Sequence, residues 1–352
     1  MPSKTIVEKA RQLLEHRPAL QQLYCAAYKL LLPRRHRHYA AQAQKALAQS
    51  KLAISCLDDM VRETLIYGTF YDEYIHYRFD LKDNAQRRTY LTDAVRNAIC
   101  RRINDPSAQA LLMDKSRAAQ HFGPLFGREF LRLDAATSRQ EFLTLARRHP
   151  KLVAKPISNC SGRGVQLVEH HTQEEWSQWF DAHRLLPGGL IVEQPIEQDP
   201  ALSQWHPSSV NTIRTNTILL DGHFHLFSTF LRMGRGGSFM DNCGQGGLMC
   251  AVDPLSGRIS TPAFDEAGLS YPAHPDTNLL FQGALLPRWD ELRSTAEKLA
   301  RAIPQLTFVA WDLALTPQGW IMVEGNKGQF QVQQTVLQRG IRQEFESAVG
   351  QG

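Results

Sequence analysis

The chain has 352 residues, of which 43% are hydrophobic and 21% charged, and its formal net charge is +5. This composition is typical of a globular protein, and the length exceeds what one hydrophobic core usually supports, so we expect two or three lobes. No run of about 18 apolar residues occurs, which excludes a membrane-spanning helix. The six cysteines show neither a CxxC pair nor a zinc-binding spacing, and the charged start is not a secretory signal. Both observations favour a reducing cytoplasm.

Basic residues are concentrated in the first part of the chain. Residues 1–150 hold 25 Lys and Arg against 15 Asp and Glu, whereas the remainder holds 15 against 20. A basic half could serve nucleotide phosphates, an acidic acceptor or nucleic acid. A solvated helical surface explains most of these residues more simply, so nucleic acid is not among the partners that we expect.

The first hundred residues follow a helical period. Apolar residues repeat about every 3.6 positions before Pro18 and again between Pro18 and Pro33. The basic cluster Arg34-Arg35-His36-Arg37-His38 could contact anionic lipid or RNA, but cations near the C-terminus of the preceding helix explain it at less cost. The second apolar repeat comprises Leu20, Leu23, Tyr24, Ala27, Leu30 and Leu31. Further helices are predicted over residues 39–69, 83–104 and 106–121.

From Phe130 onward, short apolar runs indicate strands. Residues 151–156 and 165–169 are predicted to pair around a small, polar loop that contains Ser161, Gly162 and Gly164. Such a loop can turn several backbone N–H groups toward an anion, and Lys155 at its start would add a point charge for a phosphate. A plain turn is the alternative. No GxxxxGK[ST] motif occurs, so the loop is not a Walker A loop.

A buried strand over residues 190–195 ends in Glu193-Gln194-Pro195-Ile196. A strand that ends there leaves backbone groups free beside an apolar residue, which is what the edge of an adenine needs. An ordinary exit from strand to loop looks the same.

Two long strands, over residues 209–220 and 223–232, are joined at Asp221-Gly222, a specific hairpin signal. A two-residue loop makes paired residue numbers sum to 443. Arg214 is then expected near position 229 and Arg232 near position 211, about 10 Å apart along the strand. Because a buried arginine is costly without a partner, these residues indicate either a structural ion pair or an anion site.

A glycine-dense loop over residues 234–247 follows the arginine strands and holds Asp241 and Asn242. Long loops of this kind are either disordered or functional. We include both side chains, together with Asn211, among the candidate catalytic residues.

The stretch FVAWDLALTPQGWIMVEGNKG, residues 308–328, predicts a hairpin around Thr316-Pro317-Gln318-Gly319. A three-residue loop would place Asp312 directly opposite Glu324, with Asn326 on the same face. Two facing carboxylates repel, so either one is protonated or a cation lies between them. An oxygen-only set of Asp, Glu and Asn favours Mg²⁺ before Mn²⁺. An exposed hairpin whose carboxylates point to water is the alternative.

These pieces, in this order, resemble the ATP-grasp superfamily. A lysine in a helix, a second lysine before a hairpin loop, a strand ending VEQPI and a late Asp…Glu-x-Asn carry the resemblance. The segment that begins SVNTIRTNT is similar to the central block of ATP-grasp ligases that add glutamate to a ribosomal protein. The whole chain looks most like the sugar-transfer-associated ATP-grasp group, through YGTFYDEY, LLMDK, HPSSVNTIRTNT, MDNCGQGG, AHPDTNLLFQG and WDLALTPQGWIMVEGN. The resemblance covers roughly residues 60–330.

The resemblance implies an α+β, ATP-grasp fold, in which two lobes hold ATP between antiparallel sheets, with a helical N-terminal region. The implied divisions are residues 1–104, 105–200 and 201–352. The implied catalytic residues are Arg214, Arg232, Asn211, Asp241 and Asn242. The implied ATP-binding residues are Lys115, Lys155, Ser161, Gly162, Gly164, Glu193, Gln194, Ile196 and Asp199, with Glu197 as an alternative for the ribose. The implied Mg²⁺ ligands are Asp312, Glu324 and Asn326.

Two features depart from the family pattern. Asn159-Cys160 stand in the phosphate loop where relatives often have glycine, and the front of the chain is helical where many relatives have a Rossmann-like lobe. The expected activity is ligation of a small carboxylate to an amine through an acyl phosphate, in the biosynthesis of a polysaccharide, a peptide or another specialised metabolite. A small-molecule kinase and a nucleotide-binding protein without catalysis are the alternatives.

Overall fold

A computed structural model describes residues 13–14, 17–48, 54–158 and 164–350 of the chain. The chain separates into two compact units, one formed by residues 1–99 and 329–344 and the other by residues 100–328 and 345–352. The domain boundaries expected after residues 104 and 200 stay a prediction. Within the described ranges, no helix has the length and hydrophobicity needed to cross a bilayer.

Proline and capping side chains set where many of the helices begin. Proline is the first residue of α1, α2, α7 and α11 as defined below, where its missing N–H costs nothing. Asp83, Asp105, Asp114, Ser138, Thr172 and Asp199 each accept a backbone N–H bond at the start of a helix. The helices are α1 (Pro18–Leu31), α2 (Pro33–Ala48), α3 (Leu57–Tyr67), α4 (Tyr71–His76), α5 (Asn84–Arg88), α6 (Asp93–Ile103), α7 (Pro106–Met113), α8 (Lys115–Phe122), α9 (Arg139–Arg148), α10 (Gln173–His183), α11 (Pro200–Ser203), α12 (Trp289–Ala302), α13 (Gln331–Leu337) and α14 (Arg342–Ala348).

The long predicted helices are interrupted in the structure. The helix expected over 39–69 is divided between α2 and α3, and the one expected over 83–104 is divided between α5 and α6. The helix expected over 106–121 breaks at Asp114, whose backbone is extended and whose side chain caps α8 through the N–H groups of Ser116 and Arg117. The capping aspartate therefore determines where one helix ends and the next begins, although the apolar period continues through this point.

The first unit has its own aromatic and aliphatic core, built from α2, α3, α4 and the segment that follows α4. Within it the guanidinium of Arg87 is buried against the carboxylates of Asp59 at 2.6 Å and Glu63 at 3.1 Å. Buried charges need such partners. The fully buried core residues include Met60, Ile66, Tyr74 and Phe79.

The second unit contains two antiparallel sheets, in agreement with the expected α+β fold. One sheet has the order β1–β4–β2–β3, and the other has the order β11–β10–β5–β6–β7–β8–β9. Helices α9 and α10 pack on the first sheet, and α12 packs on the second. The strands are β1 (Phe130–Leu133), β2 (Lys151–Pro156), β3 (Gln166–Glu169), β4 (Leu190–Glu193), β5 (Thr212–Leu220), β6 (His223–Met233), β7 (Leu248–Val252), β8 (Ala263–Phe264), β9 (Ser270–Tyr271), β10 (Phe308–Thr316) and β11 (Gly319–Asn326).

The predicted loop of the last hairpin is wrong, although its central pair is right. Thr316 pairs with Gly319 across a two-residue loop, and a bulge beside Leu313 leaves Val323 as an extra residue on β11. The extra residue at the bulge makes up for the shorter loop, so Asp312 lies opposite Glu324.

The predicted register of the arginine strands is wrong by one residue near the arginines. A bulge beside Asn216 shifts the pairing between β5 and β6, because Phe227 is an extra residue on β6. Arg214 therefore pairs with Phe230, and Arg232 pairs with Thr212. Since Thr212 and Arg214 are two residues apart on β5, they share one face of the sheet.

Candidate functional site

A cavity of about 460 Å³ in the second unit brings many of the predicted site residues together. This volume lies within the range of small-molecule sites in proteins. Apolar side chains of β2 and β3 and of the segment after β4 form part of its wall. The predicted residues that line it are Lys115, Lys155, Glu193, Gln194, Ile196, Arg232, Asp241, Asn242, Asp312 and Glu324.

A row of charged side chains crosses three adjacent strands, and its members Asp312 and Glu324 line this cavity. Arg214 on β5 lies directly opposite Asp312 on β10, which in turn lies opposite Glu324 on β11. The guanidinium of Arg214 binds both carboxylate oxygens of Asp312, with Nη2 at 2.9 Å from Oδ2. Arg232 on β6 donates from Nη1 to the same Oδ2 at 2.8 Å. Two arginines therefore hold one carboxylate, and the expected separation of about 10 Å between their sites is wrong.

The two facing carboxylates have opposite electrostatic surroundings. Burial opposes the ionisation of Asp312, but Arg214 and Arg232 outweigh it and lower the pKa of Asp312 to about 2. Burial, together with the negative charge of Asp312, raises the pKa of Glu324. Glu324 makes no hydrogen bond or ion pair with any residue that the structure describes. The sequence predicted that one of the two carboxylates is protonated or that a cation lies between them. The arginines account for the ionised Asp312, but neither of them binds Glu324.

The glycine-dense loop returns to this row through Asp241. The carboxylate of Asp241 accepts a bond from the hydroxyl of Thr212 and lies 3.3 Å from Nη2 of Arg232. Asn242 caps the following turn, because its Oδ1 accepts from the N–H of Gly244 at 3.0 Å. The loop segment that lines the cavity is thus fixed by side-chain bonds.

A second buried carboxylate, Glu193 at the end of β4, is also held by two cations. Arg128 donates to it from Nε at 2.7 Å, and Nζ of Lys155 lies at 3.0 Å. Burial opposes ionisation, but these two cations lower the pKa of Glu193. The remaining nitrogens of Arg128 donate to backbone carbonyls, among them Met322 at 2.7 Å and Val323 at 3.2 Å. Arg128 therefore links the first sheet to the bulge of β11.

Two lysines approach the row of charges from the other elements of the cavity wall. Lys115 is the first residue of α8, and Lys155 lies on β2. Their positive charges partly oppose the rise in the pKa of Glu324. Both side chains therefore lie near the carboxylate that has no cation bound directly to it.

Several predicted site residues have other roles or positions. The amide of Asn211 is fully buried and donates to Gln198, to Leu202 and to His206, so it braces the segment before β5 and does not line the cavity. The carboxylate of Asp199 caps α11 through the N–H of Ala201 at 2.8 Å. Both residues are absent from the cavity wall as the described residues form it.

The phosphate loop is described only in part. Ser161 and Gly162 lie outside the described residues. Gly164 has a positive φ of 77°, a conformation that glycine adopts without strain. An added Cβ at Gly164 would lie 2.9 Å from Cγ of Pro156, which explains a glycine at this turn. Its predicted role in ATP binding stays a prediction.

Among the polar residues of this region that were missed from the sequence, three hold or line the site. Thr212 and Gln198 line the cavity, and Arg128 holds Glu193. The alternation of a strand could have found Thr212, because Thr212 shares a face with Arg214 whereas Asn211 points to the other face. The sequence carries no comparable signal for Arg128 or Gln198, since loop geometry determines where both side chains lie.

The predicted metal ligands have the donor chemistry of a site for a hard cation. Glu324 offers an unengaged carboxylate, and Asp312 keeps acceptor capacity on Oδ1. Oδ1 of Asn326 accepts from the N–H of Gly328 at 2.9 Å and has a second lone pair. Oxygen donors of this kind suit Mg²⁺, which usually completes its shell with water and phosphate. Within the described ranges, no group of three or more His, Cys, Asp and Glu side chains could hold a metal by itself.

Comparisons with known proteins place this geometry in context. A family model described as sugar-transfer associated ATP-grasp matches residues 95–350. D-alanyl-alanine synthetase A from Vibrio cholerae O1 biovar eltor str. N16961 aligns with a TM-score of 0.42 at 13% identity, covering 67% of this chain and 67% of that chain. The ATP-grasp ligase PsnB, complexed with minimal precursor, aligns with a TM-score of 0.42 at 11% identity, covering 70% of this chain and 62% of that chain. Carboxyaminoimidazole ribonucleotide synthase from Aspergillus clavatus, complexed with ATP, aligns with a TM-score of 0.38 at 11% identity, covering 63% of this chain and 46% of that chain. No curated protein has a matching sequence.

Proposed function

Because the chain belongs to the sugar-transfer associated ATP-grasp family, we propose that it is an ATP- and Mg²⁺-dependent ligase that joins a carboxylate to an amine. ATP phosphorylates the carboxylate, and the amine then displaces phosphate from the acyl phosphate to form an amide. The proposed substrates are small molecules, either amino acids or sugar-linked compounds, in the biosynthesis of a polysaccharide, a peptide or another specialised metabolite. The cytoplasm is the proposed compartment.

The observation that carries this proposal is the charge row in the cavity. Three side-chain cations and four carboxylates line the described cavity wall. Arg128 and Arg214 bind two of those carboxylates, Glu193 and Asp312, so no negative excess remains, and Glu324 is the carboxylate to which no described cation binds directly. A triphosphate accompanied by a divalent cation fits this arrangement, because the cation can lie against Glu324 while the lysines bind phosphate oxygens.

Each group of residues has a proposed part in holding the substrates. Lys115 and Lys155 bind ATP phosphates, and Gln194 and Ile196 lie along the adenine. Asp199, which caps α11 through Oδ1, is proposed to contact the ribose. Asp312, Glu324 and Asn326 would hold Mg²⁺, which when bound neutralises charge on the phosphates.

The arginines have a proposed part in the chemical steps. Phosphoryl transfer depends on positioning and charge stabilisation more than on covalent help. A guanidinium has five N–H donors, so Arg214 and Arg232 keep donors beyond those that bind Asp312. These donors can stabilise negative charge on the acyl phosphate and on the tetrahedral intermediate. Asp312 fixes the orientation of both arginines.

The test is to incubate the full chain with ATP, Mg²⁺ and mixtures of candidate acids and amines, and to identify products by mass spectrometry. We expect ADP and free phosphate, and hydroxylamine should trap a hydroxamate from the acyl phosphate. Arg232→Ala should suppress amide formation more than ATP binding, whereas Arg293→Ala on the exposed face of α12 should change neither. Transfer of the labelled γ-phosphate into a stable product, with no free phosphate released, would instead identify a kinase.

A further inference from the structure

Among the residues that the structure describes, helix α1 packs on the rest of the first unit through one of its faces. Tyr24, Cys25 and Tyr28 pack against the core of that unit. The side-chain amide of Gln21, from the same face, donates to the hydroxyl of Tyr67 at 2.7 Å. These four positions follow a spacing of three and four residues, as one face of a helix requires.

A second face of α1 is apolar and exposed. Leu20 is 41% exposed, Leu23 is 65% exposed, Leu30 is 79% exposed and Leu31 is 74% exposed. These four residues, the leucine stripe, lie on one side of the helix by their spacing. The apolar period of this segment predicted a helix, but the structure buries the tyrosine side and leaves the leucine stripe without a partner in the described part of the chain.

The segment that carries the leucine stripe is basic throughout. Residues 17–48 contain no Asp or Glu, and none of their Lys and Arg side chains forms an ion pair with a described residue. The cations are Arg17, Lys29, Arg34, Arg35, Arg37 and Lys45.

The basic cluster lies at the start of a helix. Because α2 begins at Pro33, Arg34, Arg35 and Arg37 lie in its first turns, and the explanation of the cluster as a helix C-terminus is wrong. The helix dipole disfavours cations at this end. Among the described residues these three arginines have no acidic partner, and Arg37 donates only to the carbonyl of Pro33 at 3.3 Å. An external anionic partner would offset the unfavourable position of their charges.

We propose that the leucine stripe and the neighbouring cations form a surface that docks on an anionic lipid bilayer. An interfacial helix combines aliphatic side chains with Lys and Arg in this way. A helix of 14 residues is about 21 Å long, so it would lie on the bilayer and would not span it. The surface precedes residues 95–350, the part that matches the family, and the inference does not depend on the proposed reaction.

Lipid fits this surface better than two other occupants. Sequence-specific RNA binding uses aromatic or arginine platforms that stack on bases, whereas the exposed residues of the stripe are aliphatic. A second copy of the chain would bring two sets of like charges together, which is unfavourable. Acyl chains accept leucine, and anionic headgroups accept arginine.

The test measures binding of the full chain to vesicles by sedimentation. We expect binding to vesicles of mixed phosphatidylcholine and phosphatidylglycerol, little binding to phosphatidylcholine alone, and release at high salt because ions screen the attraction. Failure of the unmodified chain to bind the mixed vesicles would overturn the proposal. So would binding to polyuridylate without binding to vesicles.

Two matched triple variants distinguish the effect of the basic cluster on vesicle binding from the effect of the overall net charge. Each cation near an anionic surface contributes about fivefold to binding, so Arg34→Gln/Arg35→Gln/Arg37→Gln should weaken it on the order of a hundredfold. Arg293→Gln/Lys298→Gln/Arg301→Gln removes the same net charge from α12 and should have little effect. An equal loss in both triple variants would overturn the proposal.

A leucine variant tests the apolar part of the surface. Leu30→Gln/Leu31→Gln should also weaken binding to the mixed vesicles, with unchanged helix content by circular dichroism, because both residues are exposed. Leu255→Gln/Leu285→Gln alters two exposed leucines of the second unit and is the control. A concentration-dependent dimer that this variant of α1 abolishes, in place of vesicle binding, would identify a second copy as the occupant.

Discussion

Each sheet of the second unit buries one carboxylate between two cations, but the two clusters are built differently. Asp312 takes both of its arginines from strands of its own sheet, β5 and β6. Glu193 takes Lys155 from its own sheet and Arg128 from the segment before β1. Because Arg128 also binds carbonyls of β11, the Glu193 cluster joins two sheets, whereas the Asp312 cluster joins strands within one.

The third carboxylate of the cavity, Glu324, shows what these cations do. Bound cations overcome burial at Asp312 and Glu193 and lower the pKa of both. No cation of the described residues binds Glu324 directly, and burial together with the charge of Asp312 raises the pKa of Glu324. Bound cations, more than burial, therefore decide which acid is ionised, and Glu324 is where an added cation would be most favourable.

Breaking the Asp312 cluster should have the largest effect. Asp312→Asn leaves two arginines without their ionised partner, so the free energy of unfolding should fall by about 3–5 kcal/mol. Urea unfolding measures this loss, with Asp290→Asn on the exposed surface of α12 as the control. Two facing carboxylates repel, so removing one of them would by itself raise the melting temperature, but the two arginines reverse that effect for Asp312. An unchanged unfolding midpoint would show that the arginines do not depend on Asp312.

The pH dependence gives a second test of the same cluster. The folded pKa of Asp312, about 2, lies below its ordinary value of 3.8. The stabilisation is therefore present above pH 3.8 and is lost as the pH falls through about 2. The difference in unfolding free energy between the unmodified chain and Asp312→Asn should shrink over that window. A difference that is constant with pH would contradict the ion pairs.

Replacing Lys155, which binds Glu193 and lines the cavity, should have the next largest effect. A charge-assisted phosphate contact is worth roughly 1.5–3 kcal/mol, so Lys155→Ala should weaken ATP binding about ten- to a hundredfold. Calorimetry measures the affinity, and Lys151→Ala on the same strand is the control because Lys151 is exposed and paired with Glu169. Equal ATP affinity in Lys155→Ala and the unmodified chain would remove Lys155 from the nucleotide site.

Neutralising Glu193 should cost less than neutralising Asp312. Arg128 keeps its backbone carbonyl partners in Glu193→Gln, so we expect a loss of about 1–2 kcal/mol in the free energy of unfolding. Urea unfolding compares this variant with Glu169→Gln at the exposed edge of the same sheet. A loss as large as that of Asp312→Asn would show that the carbonyl contacts of Arg128 do not compensate.

Neutralising Glu324 should have the smallest effect on stability, and of the opposite sign. Like charges directly opposite each other cost about 0.2–1 kcal/mol, so Glu324→Gln should be more stable than the unmodified chain at neutral pH by about that amount. A pKa that is raised on folding means that the folded state favours the protonated form of Glu324 more than the unfolded state does. The stability that protonation gives is complete below the ordinary value of 4.5 and is lost as the pH rises through the folded pKa. Calorimetric melting should therefore show the two proteins converging as the pH falls.

The same variant also tests the metal assignment. Glu324→Gln should abolish Mg²⁺-dependent ATP turnover, because it removes the carboxylate that has no other cation bound to it. If the variant keeps the turnover of the unmodified chain, the assignment of Glu324 as a metal ligand is wrong. A melting temperature below that of the unmodified chain at neutral pH would contradict the charge argument independently.

The sequence correctly placed Asp312 opposite Glu324, although it predicted the wrong loop length and did not predict the bulge. These two errors cancel. The sequence predicted a three-residue loop, whereas the structure has a two-residue loop and a bulge at Val323. Both arrangements place one extra residue between Asp312 and Glu324, in the loop or in the bulge, so the pair is the same. The arginine strands had no such compensation, and the bulge at Phe227 shifted their register.

Asn211 shows where the sequence held more information than the prediction used. Side chains on a strand alternate between faces, so Asn211 and Arg214 point to opposite sides. The structure places Arg214 on Asp312 and buries Asn211 among backbone carbonyls before β5. Thr212, which lies two residues before Arg214 and on the same face of β5, lines the cavity instead.

By itself the sequence determined the family, most of the strands and most of the polar side chains of the cavity, because alternation, turn residues and motif order are local properties. The tertiary structure alone decided how those side chains pair. Arg214 and Arg232 meet on Asp312 across 98 and 80 residues of chain, and Arg128 reaches β11 across 194 residues. Such contacts depend on bulges, loop paths and side-chain directions that only the packed sheets fix, so the sequence could name the charged residues of the site without assigning their partners.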